Sequence, residues 1–265
     1  MKHVSILYFS ASGNTKKVAG WIAEKLSAEG ITSELYSITA LLNGIPDSVH
    51  SSDMIIIGTP TFMWHTPSVV KEFVEKADIF GGKPVGVFAT YGMVTVGANL
   101  SWMSKTIRRK GGLIAGFMKI EAQHSMMFKG GRPLGRGKPD ECDREAVKEF
   151  VSRCIGRAIS GVGISKITGI MKYIAIMSPP VLSGTIMPEL KIMKARCTCC
   201  GACVRSCPTG NITITDGALM HGDNCLLCYN CVRVCPEGAT DANLRPMETL
   251  LRVMSHLPDR GSAAF

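Results

Sequence analysis

Apolar residues fall in short, nearly unbroken runs along the first half of the chain, Val4–Phe9, Met54–Gly58, Pro84–Ala89 and Gly112–Ala122, with Ser33–Ser37 read as a further strand between the first two. Runs of this length, continuous rather than alternating, are the mark of strands buried on both faces of a parallel sheet. Between them the apolar positions shift to helical spacing. Val18, Trp21, Ile22 and Leu26 share one face, with Gly30 placed to stop the helix. Further helices are predicted near 68–77, 97–110 and 140–160. The last has Pro139-Asp140 as its cap and one stripe of Val147, Phe150, Val151, Cys154, Ile155 and Ala158. Cys154 therefore reads as core and Cys142 as a surface thiol. The alternation predicts an α/β fold, a doubly wound five-stranded parallel sheet.

Beyond residue 160 the pattern changes. Residues 161–192 are rich in Gly, Met and Ile, with Pro179-Pro180 and Pro188. Their apolar stretch Ile167–Met177 is broken by Lys172 and is too short to span a bilayer. It reads as a connector packed on one or both domains, ahead of an amphipathic helix lying on a membrane surface. Residues 193–243 form a small Cys-rich unit. Inside it Asn211–Thr215 and Ala218–Met220 flank Asp216-Gly217, a strong hairpin signal. The tail 244–265 holds a short helix over Pro246–His256 and then polar, small residues that fray. A chain of 265 residues suits this division into two domains.

The chemistry lies first in the cysteines. Cys197, Cys200, Cys203 and Cys207-Pro208 form one C-x-x-C-x-x-C-x-x-x-C-P run; Cys225, Cys228, Cys231 and Cys235-Pro236 repeat it. Three closely spaced thiolates can wrap three corners of an iron–sulfur cubane, leaving the fourth to a more distant residue. Over about residues 193–243 the chain resembles the two-cluster bacterial ferredoxins, in which the fourth Cys of each run ligates the other run's cluster. The resemblance implies two 4Fe–4S clusters: one on Cys197, Cys200, Cys203 and Cys235, the other on Cys225, Cys228, Cys231 and Cys207. Soft thiolates also suit zinc, although zinc sites usually show paired C-x-x-C knuckles. Cys199 is the odd thiol, either a packed neighbour of the cluster or a spare ligand.

The second site is the loop after the first strand. Ser10-Ala11-Ser12-Gly13-Asn14-Thr15 places hydroxyls and a glycine between a strand and a helix, an anion site built from backbone N–H groups and the positive helix end. No G-K-[ST] follows and no G-x-G-x-x-G occurs, so neither a Walker loop nor a dinucleotide fingerprint is present. Ser10, Ser12, Gly13, Asn14 and Thr15 match the first loop of flavodoxins position by position, and the likeness covers roughly residues 1–160. It implies FMN and strand order 2-1-3-4-5. In such sheets the ligand lies at the carboxyl ends of the strands, so two more loops should flank the flavin. One contains Thr59, Pro60, Thr61, Phe62, Met63 and Trp64, similar to the family's G-T-P-[TV]-[YF] loop, and the other Thr90, Tyr91, Gly92 and Gly97. An isoalloxazine ring needs flat apolar walls; Trp64 or Phe62 would supply one and Tyr91 the other, with His65 a candidate for the rim. Lys129, Arg132, Arg136 and Lys138 in the Gly-rich stretch 123–139 read either as a basic, mobile rim over the FMN or as a solvated insertion.

The formal net charge of +9 favours acidic partners. Basic residues without interleaved aromatics do not make a nucleic-acid strip. Met1-Lys2-His3 runs straight into the first strand without an h-region, so a reducing cytoplasm and an anaerobic setting are expected. The whole resembles a flavodoxin–ferredoxin fusion, which implies electron transfer. Clusters move one electron at a time and FMN one or two, so joining them couples one-electron carriers to a two-electron acceptor. The expected function is an oxidoreductase acting on a small acceptor at the flavin. The alternative is a substrate-free carrier between redox enzymes. Its protein partner would be a ferredoxin or a reductase. A homodimer bringing one subunit's cluster to another's flavin is compatible with the sequence.

Overall fold

The computed structural model describes residues 1–160 and 187–256. Most of the expected connector, including Ile167–Met177, and the expected frayed end of the tail lie outside the described residues. Five parallel strands, β1 (His3–Tyr8), β2 (Thr32–Ser37), β3 (Met54–Pro60), β4 (Pro84–Tyr91) and β5 (Leu113–Glu121), form one sheet in the order β2-β1-β3-β4-β5. The order is the one implied by the flavodoxin resemblance.

Strand alternation sends Leu7, Ile55, Ile57, Val85 and Val87 to one face, where α4 (Ser68–Lys76) and α5 (Asn99–Arg109) cover them. Val4, Ile6, Ile56 and Phe88 face α1 (Asn14–Ala28) and α6 (Glu141–Ser160). Val147, Phe150, Val151 and Cys154 of the α6 stripe are fully buried. The helix can lie this close because the sheet offers glycines beneath it: a Cβ on Gly116 would stand 2.6 Å from Cys154 Sγ. Asp140 caps α6 as expected. Its Oδ1 accepts from the N–H of Cys142 at 3.0 Å and of Asp143 at 3.3 Å, while Asp143 Oδ2 accepts from the Asp140 N–H at 2.8 Å. Two one-turn helices, α2 (Ile38–Leu41) and α3 (Asp47–His50), join β2 to β3.

The second unit has little regular structure. β6 (Lys191–Ile192) pairs antiparallel with β9 (Thr240–Asp241), and β7 (Ile212–Thr215) with β8 (Ala218–His221). The predicted hairpin turn is present, with Asp216 at φ 51 and Gly217 at φ 71, both left-handed as a type I′ turn requires. Short helices α7 (Ala202–Ser206) and α8 (Asn230–Val234) lie inside the two cysteine runs, each carrying the third cysteine and ending at the fourth, and α9 (Arg245–Ser255) closes the described chain. The core of this unit gathers Cys203, Ile212, Leu219, Tyr229, Cys231 and Leu251, and it also takes Met126 and Met127 from the loop after β5.

Candidate functional site

The eight cysteines of the two runs line two separate cavities. Cys207, Cys225, Cys228 and Cys231 line one; Cys197, Cys200, Cys203 and Cys235 line the other. This is the crossed grouping, and it follows from a local repeat. Gly201 and Tyr229 both adopt left-handed backbone conformations, φ 72 and φ 52, as N-caps of α7 and α8. Each short helix then turns the chain so that the fourth thiol leaves its own run and enters the other cavity. The repeat extends to sulfur bonding. Asn211 N–H donates to Cys207 Sγ at 3.2 Å and Ala239 N–H to Cys235 Sγ at 3.1 Å. Bonds of this kind stabilise negative charge on sulfur. For the bare thiols, burial pushes Cys228 up to about 11 and Cys231 up to about 12, with Cys225 and Cys207 adding to both. Thiolates there need a cation or cluster to hold them. Among the described residues, no three Cys, His, Asp or Glu side chains gather around one ion-sized point. Cys199 matches Leu227 in the repeat: both have φ above +50, at 54 and 53. Its Sγ bonds the Gly217 carbonyl at 3.1 Å, and it lies along the second cavity's wall.

At the other site, Gly13 takes φ 94 and donates its N–H to Ser10 Oγ at 3.1 Å. A Cβ there would meet nothing within 4 Å, so open space lies before the start of α1. The first turn of α1 carries no acidic residue, which leaves its positive end free for an anion. The Asn14 side chain is turned to the Gln123 carbonyl at 3.1 Å. Thr15 is buried, with its hydroxyl 2.8 Å from that of Thr90, so β4 is tied to the same loop. Thr59 is buried too, and its hydroxyl donates to the Pro60 carbonyl at 3.1 Å.

The loop after β3 is a tight turn. Phe62 and His65 exchange backbone bonds at 3.0 and 2.8 Å, and Met63 and Trp64 stand at φ 47 and φ 63. Bulky residues in left-handed conformations cost about 1–3 kcal/mol each and concentrate at ligand clamps. Met93, in the facing loop, is a third, at φ 63. Asn99 holds this arrangement and was not singled out from the sequence. Fully buried at the start of α5, it donates Nδ2 to the Pro60 carbonyl at 3.1 Å and to Thr61 Oγ1 at 3.0 Å, and accepts from Thr66 Oγ1 at 2.8 Å. The signal available was a lone amide opening an otherwise apolar stripe.

Comparison with known proteins now bears on both sites. Residues 5–117 match the model of a flavodoxin domain. Residues 196–239 match that of a 4Fe-4S dicluster domain. The chain is a flavodoxin–ferredoxin fusion. Among curated proteins, one named as diflavin flavoprotein A 2 of Thermosynechococcus vestitus is 37% identical over 92 residues, covering 34% of this chain and 16% of that protein. One named as diflavin flavoprotein A 4 of Synechocystis is 26% identical over 179 residues, 61% of this chain and 30% of its own. This chain thus spans well under half the length of either. Solved structures with similar folds include a flavodoxin from Streptococcus pneumonia TIGR4, 17% identical, TM-score 0.46, covering 58% of this chain and 99% of that one. Rubredoxin oxygen:oxidoreductase from Desulfovibrio gigas is 18% identical, TM-score 0.47, covering 60% and 37%.

The two domains imply FMN and 4Fe–4S clusters, and together an FMN and iron–sulfur electron-transfer protein. The residues present fit both groups: an acid-free helix start behind Gly13, and eight thiols sorted four and four. The fusion's two halves also meet. A third cavity is walled on the flavodoxin side by Thr61–Trp64, Gly92, Val94, Thr95 and His124–Met126. Leu226, Leu227 and Cys228 of one cluster cavity close it from the other side, with Met247, Leu250, Leu251 and Met254 of α9. Trp64, Phe62 and Met63 thus line this cavity. Tyr91 does not: it is buried, bonds Glu121 Oε1 at 3.2 Å, and belongs to the core under α4 and α5. Its place at the end of β4 sends its ring to the α5 face, and the cavity wall passes to Gly92, Val94 and Thr95.

The basic stretch is corrected as well. Arg132 and Arg136 are exposed, as a solvated insertion has them, but Met126–Phe128 and Lys129 form a joint between the domains of the fusion. Lys129 pairs with Asp241, and Arg233 reaches the Ser125 carbonyl and lies 5.1 Å over the Phe128 ring. Lys138 pairs with Asp140 at 3.0 Å and Asp143 at 3.1 Å. Among the described residues, no helix is long and apolar enough to cross a membrane.

Proposed function

We propose that this chain is an oxidoreductase in which the cluster bound by Cys207, Cys225, Cys228 and Cys231 exchanges electrons directly with FMN, which serves a small two-electron acceptor. The observation that carries the reading is the shared cavity. Leu226, Leu227 and Cys228 face the same space as Thr61–Trp64, Gly92, Val94 and Thr95, so one cluster stands next to the flavin ring. The cluster of Cys197, Cys200, Cys203 and Cys235 is then the outer one. Its ligand Cys200 is exposed, as an entry point for a protein partner needs to be. Exposed Lys191, Lys194 and Arg196 precede it in the chain, which favours an acidic one-electron carrier. Pro60, Thr61 and the left-handed turn Met63-Trp64 hold the ring, and the N–H groups opening α1 hold its phosphate. FMN supplies the step between one- and two-electron chemistry.

The experiment mixes a reduced ferredoxin, too bulky to enter the cavity, with the full chain and follows flavin bleaching. Chain loaded with FMN and iron should be reduced within seconds, and chain loaded with FMN alone should not. Equal rates would refute the route through the clusters.

A further inference from the structure

His124 is used by nothing described so far. It sits in the loop after β5, with its backbone N–H on the Leu134 carbonyl at 2.9 Å and its carbonyl accepting from Met127 at 3.2 Å. Its imidazole lies flat against Gly92: a Cβ on that glycine would stand 2.4 Å from His124 Cδ2 and 3.0 Å from its Cα. A glycine at the end of β4 is what lets the ring seat there. His124 also contributes to the wall of the interdomain cavity.

The bond network fixes which nitrogen carries the proton. Met126 N–H donates to His124 Nδ1 at 3.3 Å, so Nδ1 is the acceptor and a neutral ring carries its hydrogen on Nε2. Burial lowers the His124 pKa to about 4, which keeps the ring neutral at working pH. His124 lines the interdomain cavity, and Nε2–H is the donor a neutral ring can offer there. That cavity is otherwise lined by Met, Leu, Phe, Trp and Val, with Thr61, Thr95, Ser125 and Cys228 as its other polar side chains.

We propose that His124 contacts the cofactor: its Nε2–H donates a hydrogen bond to an acceptor atom on the edge of the flavin ring held in this cavity. The inference rests on the placement of FMN argued above. Electrons added to the ring make its carbonyl oxygens better acceptors, so a fixed neutral donor to one of them favours the reduced cofactor over the oxidised one. No proton needs to move for this effect.

The test uses the full chain loaded anaerobically with iron and FMN, and compares H124Q with H124N. A glutamine amide reaches the Nε2 position. An asparagine amide replaces Nδ1 and leaves the cavity side without a donor. The readout is the ratio of dissociation constants for oxidised and reduced FMN. H124N should lose roughly tenfold or more of the preference for the reduced form, the size of a hydrogen bond to a charged acceptor, and H124Q should stay within about threefold of wild type. Equal weakening in both oxidation states, or equal behaviour of the two variants, overturns the inference and marks His124 as packing alone. Failure of wild-type chain to take up FMN overturns the placement of the flavin, and this inference with it.

Discussion

Gly97 is where the loops after β3 and β4 touch, and replacing it tests whether that contact builds the proposed flavin site. Its φ is +53, and an added Cβ would stand 2.1 Å from the Trp64 carbonyl oxygen and 2.5 Å from Trp64 Cβ. An alanine in a left-handed conformation costs about 1–2 kcal/mol. Overpacking against fixed backbone adds about 1–3 kcal/mol. The Trp64 carbonyl also accepts the Ala98 N–H at 2.8 Å, and moving it away loses about 0.5–1.5 kcal/mol more. Gly97→Ala should therefore cost about 3–6 kcal/mol against a loop that holds its place. A loop that gives way transfers part of this from stability to FMN affinity, at about tenfold per 1.4 kcal/mol. Gly82 is the control: its φ is +71, but nothing lies within 4 Å of its Cβ position. Gly82→Ala should cost only the conformational part, about 1–2 kcal/mol, and leave FMN binding alone. Urea unfolding and FMN titration of both variants measure the two parts. If Gly97→Ala costs no more than Gly82→Ala in both assays, the loop contact does not organise the site.

Three further outcomes follow from the geometry. With crossed ligands, C200S/C235S removes two corners of the same cluster and should keep about four of about eight irons per chain, whereas C228S/C235S damages both clusters and should keep almost none; the opposite ranking by iron analysis would mean uncrossed runs. Cys199→Ala should retain full iron and sulfide, because Cys199 takes the place that Leu227 fills in the other run; loss of half the iron would make it a ligand. Asp53 Oδ2 accepts from the backbone N–H groups of Lys2 and His3, which hold its pKa below the usual carboxylate range. A depressed folded pKa gives stability that is present above the unfolded value and lost as pH falls through the folded one. The stability difference between wild type and Asp53→Asn should therefore shrink below about pH 4, and a difference that is flat with pH in urea titrations would refute the role.

What could be read from the chain depended on how local the cause was. The buried strands, the α6 stripe, the Asp216-Gly217 turn and the spacing of the thiols are each set by residues within a few positions of one another, and the structure returns them with ends shifted by a residue or two. Tyr91 was misplaced because an aromatic beside a flavin loop looks the same whichever way its strand face points. That orientation is fixed by pairing with β5, where Glu121 waits for the phenol. Asn99 was passed over because its partners, Pro60, Thr61 and Thr66, are far away in sequence.

The joint between the domains was the hardest to see, and composition explains why. Lys129, Arg132, Arg136 and Lys138 dominate the stretch 123–139 and make it look solvated, yet Met126-Met127-Phe128 lies in its middle. Those residues pack into or against the core of the dicluster domain, while Lys129 pairs with Asp241 and Lys138 with Asp140 and Asp143. Methionine is suited to such a seam because its flexible thioether fits irregular gaps without strict periodicity. The same residue recurs on the cavity's far wall as Met187, Met247 and Met254. A seam of this kind leaves no 2.0 or 3.6 repeat to detect, although on the proposed route it sets the separation of cluster and flavin. The positions that fix the distance from cluster to flavin are therefore the ones a periodicity reading passes over. Shortening Met126, Met127 and Phe128 should loosen that distance while leaving every cluster ligand and every residue of the phosphate loop in place.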